Sequence, residues 1–513
     1  MRLTELIGGD GVRQANATAD LDISGLTADS RAVKPGYLFA ALEGARGDGR
    51  AYIPDALAKG AVAILTDLRQ LLPAPVAADG HAVPVLADAN PRRSLALMAA
   101  KFHGLQPRTV AAVTGTSGKT STVAFTRQVW ATLGYQAASL GTLGIVAPNF
   151  ERKGSLTTPD PVELHADLAA LARSGVDHLA IEASSHGIEQ CRLDGIDIKA
   201  AAFTNLSRDH LDYHPDMQSY LGAKLRLFNT VMPMGRVAVL NADIPEYEAL
   251  LTVANARRHR VISYGRAGAD LRLEALTPTP EGQILTLNAF GRRADLLLPV
   301  AGAFQAHNAL CAIGLAVGCG ADDRQALAAL SSLNVVPGRI ERVATHPSGA
   351  PVFVDYAHKP GALRVILETL RPLAQNRLVV VVGCGGDRDR GKRPEMGEIA
   401  ARLADRTIIT DDNPRSEDPA AIRAQMIAGV PAAARGKVQE IGDRAKAIAT
   451  AIEQLDAGDV LVIAGKGHEQ GQIVGNTVLP FNDAEEARVV VAALARKALF
   501  PSSPDSTPSG AGR

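Results

Sequence analysis

The chain has 513 residues, which at about 150 residues per domain predicts about three domains. Its 54 Lys and Arg residues balance 54 Asp and Glu residues, so there is no net charge to attract nucleic acid or an anionic membrane. Hydrophobic residues make up 46% of the chain, enough for several buried cores, and aromatic residues only 4%, which argues against stacking platforms for single-stranded nucleic acid.

The four cysteines contain no CxxC pair, so the sequence predicts neither a disulfide framework nor a zinc knuckle. The first residues, MRLTELIGGDGVRQ, lack the apolar stretch of a signal peptide, and no apolar run approaches the length of a membrane helix. We therefore expect a soluble, reduced, cytoplasmic protein. We expect no nucleic-acid partner, no membrane insertion and a monomer.

Residues 1–107 are predicted to form an α/β domain. Short apolar runs at 36–40 and 61–65 predict strands, and Gly47-Asp48-Gly49 predicts a turn between them. Apolar residues at helical spacing predict a closing helix at 90–105.

Residues 108–336 are predicted to form a central domain around a parallel sheet, because strands alternate with helices. Residues 258–300 differ and predict an antiparallel annex with strands at 260–264 and 284–288. The other strands are predicted at 109–113, 179–183, 200–205 and 237–241, and helices at 119–133 and 305–317.

Pro337-Gly338-Arg339 is interpreted as a hinge into a third domain, residues 337–498, where the alternation restarts. The Ser/Pro/Gly-rich residues 499–513 are predicted to be a disordered tail. The chain is assigned to the α/β class with three domains. In the third domain strands are predicted at 351–355, 377–382, 407–410 and 459–464, and helices from 361 and at 395–403.

A Gly/Ser/Thr loop between the first strand and helix of the central domain predicts a phosphate-binding loop. Its glycines let backbone N–H groups surround phosphate oxygens at a helix N-terminus. Lys119 is expected to reach the β- and γ-phosphates, and the Thr120 hydroxyl to ligate Mg²⁺. A strict GxxxxGK[ST] pattern is not met, because Val113 occupies the first Gly position, and an ordinary tight turn is the alternative. The expected ATP-binding residues are Gly115, Thr116, Ser117, Gly118, Lys119, Thr120 and Ser121.

Three further side chains are candidates for the same site. Glu182 follows an apolar run and should lie at the carboxyl end of a strand, where open α/β sheets bind ligands. A carboxylate there suits Mg²⁺, although a helix cap or surface acid would look the same. His210 follows another predicted strand. Lys224 lies in an amphipathic stretch, where the residues alone favour a surface lysine.

The TGTSGKTS segment, followed by NLSRDHLDYH at 205–214, resembles the Mur ligases, which form amide bonds in peptidoglycan synthesis with ATP. The resemblance spans about residues 20–495 and departs from the usual pattern at Ser117, where Asn is common, and at Cys191, where His is common. It implies Lys119, Glu182, His210 and Lys224 as catalytic residues. It also implies a magnesium site formed by Thr120, Glu182, His210 and a carbamylated Lys224.

The same resemblance implies where substrates bind. It makes the N-terminal domain a uridine-binding domain and the C-terminal domain a Rossmann-like domain that binds the incoming amino acid. Asp355-Tyr-Ala-His358 resembles a segment that helps to enclose ATP. The residues implied for the UDP-MurNAc-dipeptide are Ala28, Ser30, Ala45, Arg46, Gly47, Thr157, Thr158, Ser184, Gln190 and Arg192.

Asp412-Asn413-Pro414-Arg415 after the strand at 407–410 is the most specific motif. Arg presents a planar fork that suits a carboxylate. The motif resembles the signature of family members that add meso-diaminopimelate, and Arg388, Gly465 and Glu469 match further amino-acid contacts. Relatives that add lysine differ at the arginine, since lysine lacks the second carboxylate.

The expected activity is therefore ATP-dependent addition of meso-diaminopimelate to the D-Glu carboxylate of UDP-MurNAc-L-Ala-D-Glu, through an acyl phosphate, in cytoplasmic peptidoglycan precursor synthesis. The nearest alternative is a lysine-adding ligase. A folylpolyglutamate synthase would leave the DNPR motif and the uridine-type loops unexplained. A P-loop switch that binds ATP without ligation would leave Glu182, His210 and Lys224 without a role.

Overall fold

The computed structural model describes residues 1–7, 13–14, 20–44, 47–70, 75–76, 80, 82–152, 154, 156–211, 213–279 and 281–499. Within these ranges the chain forms three large sheets flanked by helices and two separate two-stranded hairpins, which confirms the α/β class. No helix in these ranges is long and apolar enough to cross a lipid bilayer.

The N-terminal region has a five-stranded sheet of order β1-β7-β6-β3-β2. Strands β2, β3, β6 and β7 pair in parallel, and β4 and β5 form a separate hairpin. Its strands are β1 (Arg13–Gln14), β2 (Gly25–Thr27), β3 (Tyr37–Ala40), β4 (Glu43–Gly44), β5 (Gly47–Asp48), β6 (Ala61–Asp67) and β7 (Val85–Asp88), and its α-helices are α1 (Leu3–Ile7), α2 (Ile53–Ala58) and α3 (Pro91–His103).

The central region contains an eleven-stranded sheet of order β11-β10-β9-β12-β8-β13-β14-β15-β16-β17-β18. Its strands are β8 (Thr109–Thr114), β9 (Ala137–Gly141), β10 (Gly144–Ala147), β11 (Phe150–Arg152), β12 (His178–Glu182), β13 (Ile198–Phe203), β14 (Val237–Asn241), β15 (Arg260–Gly265), β16 (Leu271–Thr279), β17 (Gly282–Ala289) and β18 (Arg292–Leu298). Its helices are α4 (Lys119–Thr132), α5 (Pro161–Arg173), α6 (Ser185–Glu189), α7 (Met217–Arg226), α8 (Tyr247–Ala256), α9 (Ala303–Gly318) and α10 (Asp323–Ala328), with a π-helical segment at Leu227–Val231.

Strands in the middle of this sheet are buried on both faces. Every residue of β8 and β12 is buried, as expected for parallel strands that are covered by helices on both sides. One core joins α4 and α9 to one face, and a second core joins α5 to the other. The carboxyl ends of β8, β9, β12 and β13 consequently meet at one edge, between these two helical layers.

The predicted antiparallel annex is confirmed only in part. Strands β16, β17 and β18 pair antiparallel, but β15, which contains the predicted strand 260–264, pairs in parallel with both β14 and β16. The expectation was wrong for β15. Helix α8 connects β14 to β15 and carries the chain back across the sheet, so that β15 runs in the same direction as β14.

The C-terminal region has a six-stranded sheet of order β19-β20-β24-β21-β22-β23, in which only β19 is antiparallel. Its strands are β19 (Glu341–Thr345), β20 (Pro351–Asp355), β21 (Leu378–Val382), β22 (Arg406–Ile409), β23 (Val438–Glu440) and β24 (Val460–Ala464), and a hairpin follows as β25 (Gly471–Val474) and β26 (Thr477–Pro480). Its α-helices are α11 (Pro360–Leu370), α12 (Lys392–Leu403), α13 (Pro419–Ala428), α14 (Arg444–Glu453) and α15 (Asp483–Leu499).

The ends of the other predicted strands and helices lie within three residues of the ends of the observed elements. Among the residues that the structure describes, no sheet spans the predicted boundaries at 107/108 and 336/337, which stay predictions. The predicted disordered tail lies outside the described residues, apart from Leu499 at the end of α15.

Candidate active site

The predicted phosphate loop connects β8 to α4, as the sequence indicates. Gly115 and Gly118 have positive φ angles of 142° and 86°, which a residue with a Cβ atom rarely adopts. A Cβ atom at Gly115 would overlap the Thr204 hydroxyl, and one at Gly118 would overlap the Asn308 amide. The loop therefore needs glycine at both positions, for conformation and for space.

The end of β13 holds the loop from the side. Asn205 accepts a hydrogen bond from the Ser117 backbone N–H (2.9 Å) and donates one to the Ser117 carbonyl (3.1 Å), and the Thr204 hydroxyl donates to the same carbonyl (2.6 Å). The Thr116 hydroxyl accepts a hydrogen bond from the Ser207 N–H (3.0 Å). Polar residues after β13 thus fix the backbone that would surround a phosphate.

Lys119 begins α4 and folds back over the loop. Its ammonium group donates hydrogen bonds to the carbonyls of Gly115 (2.9 Å) and Thr116 (3.0 Å). Burial, together with the nearby charge of Lys359, lowers the pKa of Lys119 to about 8. A cation that is poorly compensated by the protein is suited to bind a phosphate. Ser121, the last residue of the motif, is buried in the first turn of α4.

Glu182 is the last residue of β12, as predicted, and is buried. Its carboxylate accepts hydrogen bonds from the Thr142 backbone N–H (2.8 Å) and hydroxyl (3.2 Å). A Cβ atom at Gly141 would overlap this carboxylate, so the glycine leaves room for it. Glu182 also acts electrostatically on Lys119, which places both groups at one site.

His210 lies beyond the end of β13 in a left-handed backbone conformation with φ 53°. Its Nε2 atom is 3.1 Å from Asp209 Oδ2, and the same carboxylate oxygen pairs with the Lys359 ammonium group. Burial lowers the pKa of His210 to about 3, so the imidazole is neutral at pH 7 and can donate a lone pair.

Lys224 is buried on the last turn of α7, not on the surface as the residues alone favoured. Its ammonium group donates a hydrogen bond to the Gly115 carbonyl (2.9 Å) and lies 4.4 Å from the centre of the Tyr220 ring. Burial, then repulsion from Lys119 and Lys359, lowers the pKa of Lys224 well below its usual range. The surface reading failed because helix α7 packs against the loop instead of solvent.

The described part of the chain contains no group of three or more His, Cys, Asp or Glu side chains that could hold a metal. Glu182 and His210 supply one carboxylate and one imidazole, and Mg²⁺ usually completes its octahedral coordination with waters and substrate phosphates. The Thr120 hydroxyl accepts a hydrogen bond from Arg339 (3.1 Å), whose guanidinium group stacks 4.5 Å from the Tyr356 ring centre. As an ammonium group, Lys224 has no lone pair for a metal, so it can join the predicted metal set only as a carbamate.

The central residues predicted to bind the UDP-substrate lie together beside Glu182. The Thr158 hydroxyl donates to the Glu182 carbonyl (2.9 Å) and accepts from the Ser184 N–H (3.1 Å). Arg192 donates to the Thr158 carbonyl (2.6 Å) and to the Gln190 side chain (2.8 Å).

Thr157 extends this cluster toward the strand next to β12. Its hydroxyl is 3.1 Å from that of Thr142, the residue that binds the Glu182 carboxylate. The predicted substrate residues and the predicted metal ligand Glu182 therefore share one hydrogen-bond network.

The N-terminal candidates are only partly described. Ala28 and Ser30 follow β2, the Ser30 carbonyl accepts a hydrogen bond from Lys59 (2.8 Å), and Gly47 starts β5. Ala45 and Arg46 lie outside the described residues.

The first turn of α3 connects these loops to the central cluster. Arg92 donates to the carbonyl of Glu43 in β4, Arg93 Nε is 3.2 Å from Asp194 Oδ1, and Asn90 Nδ2 is 3.6 Å from Cys191 Sγ. Cys191, which departs from the family pattern, is buried against the N-terminal region.

The DNPR loop follows β22 and is tied to the end of β24. Asp412 and Asn413 are buried. Asn413 donates to Glu469 Oε2 (2.9 Å) and accepts from the buried Lys466 ammonium group (2.9 Å), which also lies 3.0 Å from Glu469 Oε2. Both contacts to Glu469 are at Oε2, so Oε1 can bind a ligand's ammonium group.

Glycines let the neighbouring loops approach the DNPR backbone. A Cβ atom at Gly386 would overlap the Pro414 carbonyl, and one at Gly465, which has φ 122°, would lie 2.5 Å from Asp412 Oδ2. The role of Gly465 in the predicted site is therefore close packing on Asp412.

Arg415 is held by its backbone and by one guanidinium nitrogen. Its N–H donates to the Ile473 carbonyl in β25 (3.0 Å), and Nη1 donates to the Gly386 carbonyl (2.8 Å). Burial, and then the charge of Arg388, lowers the pKa of Arg415. Arg388 donates to the neighbouring Asp387 carbonyl (3.1 Å). The carboxylates of Asp412, Glu469 and Asp387 offset part of this repulsion. A guanidinium group with free N–H donors is suited to bind a carboxylate.

A cavity of about 920 Å³ lies between the central and C-terminal regions. Asn413, Arg415 and Glu469 line it from one side, and Thr142 and Arg152 from the other. The predicted amino-acid residues thus open toward the network that contains Glu182.

Sequence reasoning missed several residues that the structure places at this site. Thr142 follows β9, and only the strand order shows that this strand end adjoins β12. Arg339 was interpreted as part of a hinge, and Lys359, directly after the DYAH segment, had no role of its own. Lys466, between the predicted residues Gly465 and Glu469, also had no assigned role.

The parallel sheet, the glycine loop and the lysine that begins α4 define a P-loop nucleotide-binding protein. The chain matches the Mur ligase family catalytic domain over residues 22–106, the Mur ligase middle domain over 113–316 and the Mur ligase glutamate ligase domain over 338–467. A relative from Bradyrhizobium diazoefficiens, named UDP-N-acetylmuramoyl-L-alanyl-D-glutamate–2,6-diaminopimelate ligase, is 54% identical and covers 97% of this chain and 100% of its own. The chain belongs to the Mur ligase family.

Solved structures agree with this assignment. The structure of a UDP-N-acetylmuramoyl-L-alanyl-D-glutamate–2,6-diaminopimelate ligase has a TM-score of 0.68 and 32% identity, and covers 96% of this chain and 99% of its own. The MurF ligase of Thermotoga maritima in complex with ADP has a TM-score of 0.60 and 19% identity, over 94% of this chain and 100% of its own, and shares the fold. The predictions of the family and of an ATP-dependent ligase are confirmed.

Proposed function

We propose that this chain joins meso-diaminopimelate to the D-Glu carboxylate of UDP-MurNAc-L-Ala-D-Glu in peptidoglycan precursor synthesis, with cleavage of ATP to ADP and phosphate. The observation that carries the proposal is the cavity in which Arg415 and Glu469 face the Thr142–Glu182 network. The names of the relatives point to the same substrates.

The reaction needs an activated carboxylate. The D-Glu carboxylate attacks the γ-phosphorus of ATP, which gives an acyl phosphate and ADP; the amine then attacks the acyl carbon, and phosphate and a proton leave. Positioning and charge stabilisation provide most of the catalysis in such a transfer. The loop N–H groups and Lys119 would hold the phosphates from one side, and Arg339 and Lys359 add positive charge from the other.

Mg²⁺ would neutralise the charge on the transferred phosphoryl group. Thr120, Glu182, His210 and Lys224 as a carbamate would hold it. Carbamylation needs a neutral amine, and the buried environment that lowers the pKa of Lys224 favours this form. A carbamate would also replace one of two neighbouring ammonium groups by an anion, which removes their repulsion.

The C-terminal residues would select the amine. Arg415 and Arg388 would bind the carboxylate that lysine lacks, and Glu469 would bind the distal ammonium group. Lys466 and Asn413 hold the Glu469 carboxylate in place before any ligand binds. The alternative, a lysine-adding ligase, would leave Arg415 and Arg388 without a second substrate carboxylate to bind.

The test is phosphate release by the purified protein with ATP, Mg²⁺ and UDP-MurNAc-L-Ala-D-Glu, in parallel with meso-diaminopimelate, L-lysine or no amine. We expect turnover only with meso-diaminopimelate. Turnover with lysine would keep the ligase and reject the role of Arg415. If none of the three reactions releases phosphate while the protein still binds ATP, the proposal is rejected. The alternatives are then a folylpolyglutamate synthase or a P-loop switch.

We further propose that the protein acts in the cytoplasm, where ATP is available, and, as a separate point, that it is a monomer. Light scattering of the purified protein checks the second point, and a dimer mass would contradict it.

A further inference from the structure

An ion pair between Lys359 and Asp209 joins the C-terminal region to the phosphate site. Lys359 precedes the first residue of α11 and follows His358 in the loop after β20. Asp209 lies after β13, in the segment that holds the phosphate loop. Each side chain is only 15% exposed, although the two residues come from different sheets.

One oxygen of the Asp209 carboxylate contacts both Lys359 and His210. Oδ2 pairs with Lys359 and lies 3.1 Å from Nε2 of His210. The position of this carboxylate therefore depends on a lysine that another region supplies.

A second ion pair crosses the same interface and differs in burial. Arg208 and Asp389 approach only to 3.9 Å, and their side chains are 67% and 35% exposed. An exposed, loosely paired contact contributes little to stability, whereas loss of one partner from a buried pair leaves a charge without compensation. Arg208 therefore offers a matched control, next to Asp209 in the chain.

The segment that Lys359 anchors carries other contacts to the site. Tyr356 stacks on Arg339, which donates to Thr120 in the phosphate loop. His358 Nδ1 is 2.8 Å from the Tyr356 carbonyl, so the four residues 356–359 before α11 form one compact turn. A shift of Lys359 away from Asp209 would move this turn away from the phosphates.

We propose that Lys359 is a positioning residue of the ligase: its ion pair with Asp209 fixes the turn 356–359 against the phosphate loop in the arrangement that turnover needs. This inference rests on the proposed function for its kinetic part. Its structural part, docking of the turn on the central region, holds without substrates.

The kinetic test compares Lys359→Met, Lys359→Arg, Asp209→Asn, the double variant Lys359→Met/Asp209→Asn and the control Arg208→Met. We expect Lys359→Met to lower kcat about 100-fold, the effect of a small misplacement of a reacting group, with KM for the UDP-substrate changed by less than about twofold. Lys359→Arg should recover most of kcat, and Arg208→Met should match the wild type. Because both partners act as one unit, the double variant should be no slower than the slower single variant. Multiplied effects in the double variant, or a wild-type kcat in Lys359→Met, would overturn the proposal.

Hydrogen exchange of the substrate-free proteins provides a readout besides activity. Lys359→Met should speed exchange in residues 204–211 and 356–360 and leave β8 and β21 unchanged, while Arg208→Met should not. Unchanged exchange in both segments would reject the docking role. If the wild type shows no turnover with any amine, the proposed function fails, but this exchange experiment still tests the ion pair.

Discussion

At the scale of single residues, the site is organised around lysines that the protein leaves poorly compensated. Lys119 and Lys224 both donate to the Gly115 carbonyl. Burial, and then neighbouring positive charge, lowers the pKa of each lysine. Such an arrangement costs stability in the free protein and is relieved by an anion. Lys119 is expected to bind a phosphate, whereas Lys224 is expected to become a carbamate itself.

Lys119→Met tests both the catalytic role of Lys119 and its cost to stability. We expect kcat to fall at least about 100-fold, as for removal of a preorganised charge that stabilises a transition state. The folded pKa of Lys119 is about 8 and its usual value 10.5, so in this window the unfolded chain binds more protons. The stability of the wild type relative to Lys119→Met should therefore increase as pH rises from 8 toward 10.5.

Urea unfolding of both ligand-free proteins at pH 7 and pH 10 measures this difference. A relative stability that stays constant or falls with pH would contradict the lowered pKa of Lys119.

Lys224→Ala tests the carbamate. We expect the variant to lose nearly all activity and to regain part of it with added acetate or formate, because a short carboxylate can occupy the space of the carbamate and supply its oxygens. Lys119→Met, which removes a cation and not a metal ligand, is the control and should not respond. Absence of rescue in Lys224→Ala, while the variant unfolds at the wild-type temperature, would argue against carbamylation.

Arg415→Ala tests amino-acid selection. Hydrogen bonds to charged groups contribute about 1.5–3 kcal/mol, so KM for meso-diaminopimelate should rise about 10- to 100-fold. KM for ATP should change by less than about twofold, because Arg415 lines the cavity away from the phosphate loop. Arg415→Lys should recover little, since an ammonium group cannot replace the guanidinium fork. Equal increases in both KM values would indicate a folding defect instead.

At the scale of elements, function depends on which strand ends adjoin. Parallel strands β8, β12 and β13 end at one edge and bring Gly115, Glu182 and Asn205 together. The sequence predicted these strand ends well, because buried parallel strands are continuous apolar runs that stop at polar residues. It did not predict that Thr142 would bind Glu182, since the position of β9 beside β12 is a property of the sheet order.

Lys224 shows a second limit of sequence reasoning. One polar residue on an amphipathic helix has the same pattern whether its face meets solvent or another loop, and only the packing of α7 on the phosphate loop decides. Without the family resemblance, the residues alone favoured the wrong environment. The antiparallel annex was misjudged at β15 for a related reason, because a short apolar strand does not reveal the direction of its neighbours.

Gly118→Ala tests the phosphate loop as an element, with Gly134→Ala as a matched control. Gly118 immediately precedes helix α4, and Gly134 lies just beyond its C-terminal end. Their φ angles are nearly equal, 86° and 87°. A side chain at either position costs about 1–2 kcal/mol in this conformation. Only at Gly118 would the new Cβ also overlap Asn308, whereas at Gly134 the space is open.

We therefore expect similar small losses of stability from the backbone conformation, but a loss of ADP affinity only in Gly118→Ala. Isothermal titration with ADP and Mg²⁺ measures the affinity. Equal ADP affinities in the two variants would show that the loop tolerates a displaced Asn308.

At the scale of the whole molecule, the central and C-terminal regions line one cavity. The central sheet carries the phosphate loop and Glu182, and the C-terminal sheet carries the DNPR loop and, through Lys359, a second contact to the phosphate site. The first turn of α3 brings the N-terminal loops to the residues around Arg192. The order of motifs along the chain predicts a binding role for each region, and these roles stay predictions. The ion pairs that join the regions could not be predicted, since their partners are far apart in sequence.

This cavity is proposed to select an amine with a second carboxylate. The most direct measurement is a competition: the wild-type protein receives ATP, Mg²⁺, UDP-MurNAc-L-Ala-D-Glu and equal concentrations of meso-diaminopimelate and L-lysine, and the products are separated by mass. We expect the diaminopimelate product to form almost alone, and Arg415→Ala to lower the ratio of the diaminopimelate product to the lysine product. A predominant lysine product, or an equal mixture from the wild type, would contradict this selectivity.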